Sequence, residues 1–327
     1  MTAVPDSPAR LRLDLAYDGT DFHGWAAQPG RRTVEGELRA ALARVTRREV
    51  PVTVAGRTDA GVHASGQVVH LDLDAEALAA LPGRSDRAPA DALVQRLGGV
   101  LPADIVVRRA RPVPPAFDAR FGALWRRYRY RLSDSPQVHD PLRRDVLRHR
   151  RVLDPAPMHE AAQLLVGEHD FLSYCRPRPG ATTVRTLQHL SVERPATGRA
   201  DAGLVVVTVQ ADAFCHHMVR SLVGALLAVG EGRRDVDWPA RVLAARTRDA
   251  AGRDGVGAAP MCPPQGLTLE HVEYPPDEML AERAALSRAV RALTDDTPAV
   301  TWNAPHAAGS GDAPPQFAAP PQARRAE

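Results

Sequence analysis

The densest polar stretch of the chain, AGRTDAGVHASGQVVHLDL (Ala55 to Leu73), sets three glycines within eleven residues between two apolar runs. Glycines so placed let a loop backbone come close to a ligand. The loop carries Asp59, with Arg57 two residues before it. On an extended chain these two project to the same side, so an ion pair keeping Asp59 ionised is geometrically available. Asp-Ala-Gly is equally good turn chemistry, and spacing alone favours an Asx turn over a reactive group.

Other constellations are weaker. His63 and His70 lie seven residues apart with Asp72 nearby, and Cys215, His216 and His217 are adjacent rather than spaced for one ion. These read as structural or surface histidines. Cys262 is followed by Pro-Pro-Gln, so the zinc-deaminase pairing of cysteines is missing. No GxSxG elbow or GxGxxG fingerprint stands between a strand and a helix. All 42 side chains counted as lysine or arginine are arginine. A chain without lysine is not a Schiff-base aldolase, a pyridoxal-phosphate enzyme, a P-loop NTPase or a protein kinase. What is left for an enzyme is chemistry without metal, nucleotide or organic cofactor, with a carboxylate as the natural nucleophile. A rearrangement fits that condition.

Net charge is only +3, yet Arg108 to Arg151 holds thirteen arginines against four aspartates and no glutamate, a surplus of nine. Such a concentration is the footprint of a polyanion binder, or of a solvated face with no partner. WRRYRYRL (Trp125 to Leu132) favours the first. As a strand it shows Trp125, Arg127, Arg129 and Arg131 on one face and Arg126, Tyr128, Tyr130 and Leu132 on the other. Cations and aromatics on one strand can hold phosphates and stack on bases.

The elements that must position these residues follow from periodicity. Strands are expected at 11–17, about 51–55, 67–73, 105–111, 125–133, 187–194 and 203–211. Helices are expected at 33–45 behind Thr33, near 89–100, at 155–166 behind Asp154 with Pro155 first, at 214–229, near 237–246 and near 277–293. Strand-rich halves with two helices each predict an α+β fold of two ferredoxin-like units, mostly antiparallel. The proline-rich joint RPVPPAFDAR divides residues 1–112, carrying the Asp59 loop, from 113–275, carrying the tyrosine strand. Residues 276–327 add one helix and an Ala/Pro-rich tail expected to be disordered at its end. No apolar run approaches a membrane span, and no signal-peptide core precedes residue 15. Three scattered cysteines, an odd number, argue against a disulfide framework and for a reducing cytoplasm.

The loop GRTDAGVHASGQVVHLD (Gly56 to Asp72) resembles the signature of the tRNA pseudouridine synthase A family. The likeness continues in order through YDGTDFHGW, TVEGEL, FDARFGALWRRYRY, GEHDF, VRTL, FCHHMVRSLVGALLAVGEG and APMCPPQGLTLEHVEY, covering about residues 11–274. It implies a cofactor-free isomerase that turns uridine into pseudouridine at positions 38 to 40 of the tRNA anticodon arm. Asp59 is then the nucleophile, toward C1′ of the ribose or C6 of the base. Arg57 helps extrude the base, Arg220 pairs with Asp59, Tyr128 stacks on the uracil and Leu267 lines its pocket; Tyr130 is structural. Helical spacing also places His216, Arg220 and Gly224 on one face, away from a Phe214–Met218–Leu222–Val229 stripe. The resemblance further implies a homodimer with a basic cleft between the halves of each chain.

Three features depart from the pattern. Ala26 stands where glutamine is usual, Val54 replaces a small residue, and the chain after Tyr274 has no counterpart. The competing reading is a non-catalytic tRNA-binding or folding protein on the same scaffold, although binding alone would not need an aspartate facing phosphate. A metal nuclease using His63 and Asp72 lacks a second carboxylate cluster.

Overall fold

A computed structural model describes residues 8–178, 182–247 and 256–288. Among the described residues ten strands form a single sheet, mostly antiparallel, accompanied by seven α-helices. The first part of the chain gives β1 (Ala9–Tyr17), α1 (Val34–Thr46), β2 (Thr53–Val54), β3 (His63–Leu73), α2 (Ala75–Ala80), α3 (Pro89–Gly98) and β4 (Ile105–Pro112). The second gives β5 (Trp125–Ser133), β6 (Leu147–Arg148), α4 (Pro155–Gln163), β7 (Gly167–Asp170), β8 (Val184–Glu193), β9 (Val205–Ala211), α5 (Met218–Gly230), α6 (Trp238–Ala245), β10 (Leu267–Glu273) and α7 (Leu280–Arg288). Strand order across the sheet is β4-β1-β3-β10-β5-β9-β8-β7, with β2 on β3 and β6 on β5.

Local chemistry explains the elements that frame the site. Strict alternation buries Leu11, Leu13, Leu15 and Tyr17 of β1, each leucine contributing roughly 2 kcal/mol of burial. Thr33 caps α1 by accepting from the Gly36 amide at 3.3 Å, and Arg47 ends the helix in the left-handed region. Twelve of the thirteen residues of α5 are buried, as an all-round apolar helix requires.

The two halves share one sheet instead of each keeping its own. β10 runs parallel to the start of β3, pairing Thr268 with His63 and Leu269 with Ala64, and antiparallel to β5 on its other side. Farther along the same edge of β3, β2 pairs Thr53 with His70 and Val54 with Val69. One edge therefore serves two strands that diverge, and the connection 55–62 between β2 and β3 lies at the fork. Gly66 makes the seam possible: a Cβ there would stand 2.0 Å from the Glu270 carbonyl oxygen. We expect Gly66→Ala to cost roughly 3 kcal/mol because backbone cannot rotate aside. Gly98→Ala, with nothing within 4 Å, should be neutral or stabilise slightly by about 0.5 kcal/mol. Urea unfolding midpoints of the two variants test the contrast.

Several expected boundaries shift. β3 begins at His63, not 67, so Gly66 lies in a strand rather than the loop. α4 ends at Gln163 rather than 166. α5 begins at Met218 rather than 214, because His217 takes φ 70° and breaks the helical path. Phe214 and His216 thus precede the helix, and the helical-face argument does not apply to them. β6, β7, β10 and α2 were not anticipated. Cys175 and Cys215 are joined as a disulfide with Cα atoms 5.6 Å apart, a single bridge and not the framework argued against above; their forty-residue separation gives no sign that the two loops meet. No helix among the described residues is long and apolar enough to cross a membrane. The end of the expected 277–293 helix and the whole 295–327 tail lie outside the described residues.

Candidate active site

The connection 55–62 is braced residue by residue. Gln67, fully buried on β3, donates to the Gly56 carbonyl at 2.8 Å and to the Tyr17 hydroxyl at 3.1 Å. That hydroxyl lies 2.8 Å from Thr58 Oγ1. Burial pushes Tyr17 up to about 12, so it stays protonated for this contact. The Trp25 amide donates to the Thr58 carbonyl at 3.0 Å and the Gly61 amide to the Phe22 carbonyl at 3.2 Å. The Phe-His-Gly-Trp segment is therefore a backbone rail for the loop.

At its tip the Val62 amide donates to the Asp59 carbonyl at 3.2 Å, and Gly61 takes φ +77°. The turn foreseen for Asp-Ala-Gly exists, but backbone builds it, and the Asp59 side chain is left for other work. Its Oδ1 lies 3.4 Å from His216 Nε2; Oδ2 lies 3.6 Å from Arg220 Nη1 and 3.7 Å from His217 Nε2. All three exceed good hydrogen-bond lengths, so the carboxylate is held in a positive surrounding with its lone pairs open. The first turn of α5, which supplies Arg220, also points its positive dipole end here.

Arg220 is itself fixed. Its Nε donates to the Cys262 carbonyl at 2.7 Å, and the Cys262 amide returns a bond to the Arg220 carbonyl at 3.1 Å. Gly224 permits this docking, since a Cβ there would meet the Pro260 carbonyl oxygen at 1.8 Å. His217, a left-handed non-glycine residue, turns the chain so that the two imidazoles lie against each other, centroids 3.8 Å apart and planes tilted by 40°.

Asp59, Arg57, Arg220, Tyr128 and Leu267 all line one cavity of about 680 Å³, large enough for an extruded nucleotide. Tyr128 is buried with its ring edge-on to Phe214 at 5.2 Å. Burial holds its hydroxyl well above the usual phenol range, so it stays neutral. Tyr130 is fully buried and donates to the Pro263 carbonyl at 2.8 Å. Leu267 opens β10 opposite Tyr130. Arg57 is exposed on the wall and does not form the ion pair with Asp59 that an extended chain made available.

Arg126 is the residue that the chemistry of the sequence did not single out. Only 8% exposed, it pairs with no carboxylate among the described residues. Its Nη1 donates to the Asp212 carbonyl at 2.7 Å, and its Nη2 donates to the carbonyls of Ala55 at 2.9 Å and Arg120 at 2.5 Å. One guanidinium thus ties the start of the Asp59 loop to two other walls of the cavity. The signal was present: strand alternation put Arg126 on the tyrosine face.

The basic surplus is distributed otherwise than expected. Nine arginines line the cavity against Glu35, Asp59 and Asp212, but only Arg120 and Arg126 come from 108–151. On the opposite face of β5, Arg129 and Arg131 pair with Glu270, and Arg131 also with Asp201. Arg143 pairs with Asp145 and Asp201, and Arg144 with Asp18 and Asp21. Strand alternation sent half the stripe away from the cavity, to carboxylates.

Metal-ligand candidates also rearrange. His63 and His70 accept from the amides of Gly19 and Ala119 at 3.1 and 3.0 Å, and Asp72 is bidentate with Arg10. His216 and His217, which looked unsuited to one ion, do converge: with Asp59 they offer three ligand atoms within 4.8 Å of one another. A cation there would face Arg220 across the same carboxylate, so the donor set favours charge pairing over a metal.

A family model described as tRNA pseudouridine synthase matches residues 15–122 and 161–275. A tRNA pseudouridine synthase A of Streptomyces griseus is 55% identical over 288 residues, 87% of this chain and 94% of that one. Those of Frankia casuarinae and Cutibacterium acnes are 54% and 50% identical, over 88% of this chain and 97% and 96% of theirs. Among solved structures, an archaeal box H/ACA sRNP Nop10-Cbf5 complex aligns with 12% identity over 84% of this chain and 53% of that chain, at a TM-score of 0.31, too low to bear on the fold.

Proposed function

The chain belongs to the tRNA pseudouridine synthase family, and on that premise we propose that it isomerises uridine to pseudouridine at positions 38 to 40 of the anticodon arm, with Asp59 as nucleophile. The observation that carries the reading is the open carboxylate of Asp59, held by Arg220 in a cavity also lined by Tyr128 and Leu267. Uridine and pseudouridine have the same atoms, so neither oxidant nor group donor is required. The N-glycosidic bond breaks, the base turns, and C5 takes the place of N1 on C1′. Tyr128 offers a neutral ring against the uracil, and Leu267 an apolar wall.

Arg57, exposed at the rim, is suited to meet the backbone of an extruded nucleotide, whose flipping costs a few kcal/mol. We read each half as ferredoxin-like, supported by the strand orders β4-β1-β3-β2 and β10-β5-β9-β8, and the cavity between them as a basic cleft, supported by its nine arginines. A homodimer and a cytoplasmic setting, where tRNA is found, complete the proposal.

Purified protein should release tritium from unmodified tRNA labelled at C5 of uridine, undiminished by EDTA, with modification mapping to positions 38 to 40. tRNA binding should weaken steeply with salt as counterions are released. Binding without tritium release would instead favour the non-catalytic reading, and EDTA-sensitive release a metal at Asp59, His216 and His217.

A further inference from the structure

Whichever atom Asp59 attacks, the last stage of the isomerisation is the same. Once C5 is bonded to C1′, C5 still carries its hydrogen and N1 lacks one. The proton must leave C5, its electron pair must restore the C5–C6 double bond, and N1 must gain a proton. A base is therefore needed beside C1′, within a few ångströms of the Asp59 carboxylate.

The cavity offers few groups for this. Tyr128 is buried and protonated, so it cannot accept a proton at neutral pH. Arg220 and Arg57 are permanent cations, and Cys215 is tied to Cys175. Asp59 itself either leaves C6 with the electron pair that the proton gives up or has just been freed from C1′, and of the two imidazoles His217 Nε2 is the farther from it, at 3.7 Å. His216 is the nearer: its Nδ1 is enclosed, while Nε2 lies 3.4 Å from Asp59 Oδ1 without a hydrogen bond. We propose that His216 Nε2 is the base that removes the C5 proton, a catalytic role that rests on the isomerase reading above.

The surroundings suit that role. Burial, with Arg178 and Arg176 on the segment after β7 and Arg220 on α5, holds His216 below the ordinary histidine value, while Asp59 acts in the opposite direction. His217 lies against it, the two rings tilted by 40°. The imidazole is thus neutral at neutral pH. If Asp59 is esterified at C1′, it regains its charge as C5 joins C1′; if at C6, it regains it as the C5 electron pair forms the C5–C6 double bond and expels it. His216 is then made more basic at the moment the proton must leave.

The test uses full-length protein and unmodified tRNA carrying either protium or deuterium at C5 of uridine, read by single-turnover pseudouridine formation. His216→Gln should slow turnover by about 10²-fold with tRNA affinity unchanged, and C5 deuteration should slow this variant more than wild type. Added imidazole should partly rescue His216→Gly. Wild type supplies an independent arm: as pH falls through the lowered value of His216, the rate should drop and a C5 isotope effect should emerge. An active variant, or a loss with neither isotope effect nor rescue, overturns the assignment; so does wild type whose acid limb brings no isotope effect. If wild type fails to release tritium, it is the isomerase reading that falls.

Discussion

Asp59→Ala should lower tritium release by on the order of 10⁴-fold or more, the scale seen when a nucleophile is removed from a site that still binds its substrate. Asp59 is the carboxylate that faces Arg220, His216 and His217, and none of these three can replace it as a nucleophile toward C1′ or C6. Binding should survive. Asp59 contributes a negative charge to a cavity whose lining is dominated by arginine, so its loss removes repulsion toward phosphate rather than a contact. The fold should survive as well, because the turn at 59–62 is closed by backbone and Arg220 keeps its bond to Cys262. Filter binding and single-turnover assays on the same preparation separate the two effects. A variant that kept more than about a tenth of wild-type turnover would place the nucleophile elsewhere.

How much of this was legible depended on whether one period described one element. β1 and β5 alternate without interruption over their apolar positions, and Thr33 and Asp154 cap helices where their side chains do bond the amides of Gly36 and Ala156. β10 was missed because a register shift between Leu269 and His271 interrupts its alternation. That strand turned out to join the halves and to carry Leu267. β7 is four residues of Gly, Glu, His and Asp, which carry no apolar signal. The Asp59 loop was legible by type, and the resemblance supplied Arg220 as its partner, but nothing in the local spacing pointed to His216 or His217. Arg57, two residues away, does not reach Asp59, whereas His216 and Arg220, far along the chain, do. Such convergence is a property of the fork in the sheet and of a left-handed histidine, and neither leaves a local pattern. The charge surplus at 108–151 was real but misleading, since the count ignores which face of β5 each arginine takes.

Arg126→Met should combine a loss of stability with a loss of turnover that stability does not explain. The substitution strands three carbonyls, those of Ala55 and Asp212 in buried surroundings and that of Arg120 in a partly exposed one, each buried one costing about 1–3 kcal/mol when unpaired. Against that, it removes a buried guanidinium with no carboxylate partner among the described residues, whose desolvation is itself unfavourable. The acceptors stay in place, so the first effect should win, leaving a net loss of roughly 3 kcal/mol in denaturant unfolding. Turnover should fall by about 10²-fold, because the Ala55 carbonyl begins the loop that aims Asp59, and a displacement near 1 Å is enough for such a loss. Arg126→Lys keeps the charge but lacks the fork that spans three walls, so it should recover part of the stability and little of the rate. An osmolyte that restores the unfolding midpoint of Arg126→Met without restoring turnover would separate positioning from folding. If instead turnover returns with stability, Arg126 is a structural tie alone. If neither changes by more than a small amount, the three carbonyls must find other partners and the loop is anchored by Gln67, Tyr17 and Trp25 alone.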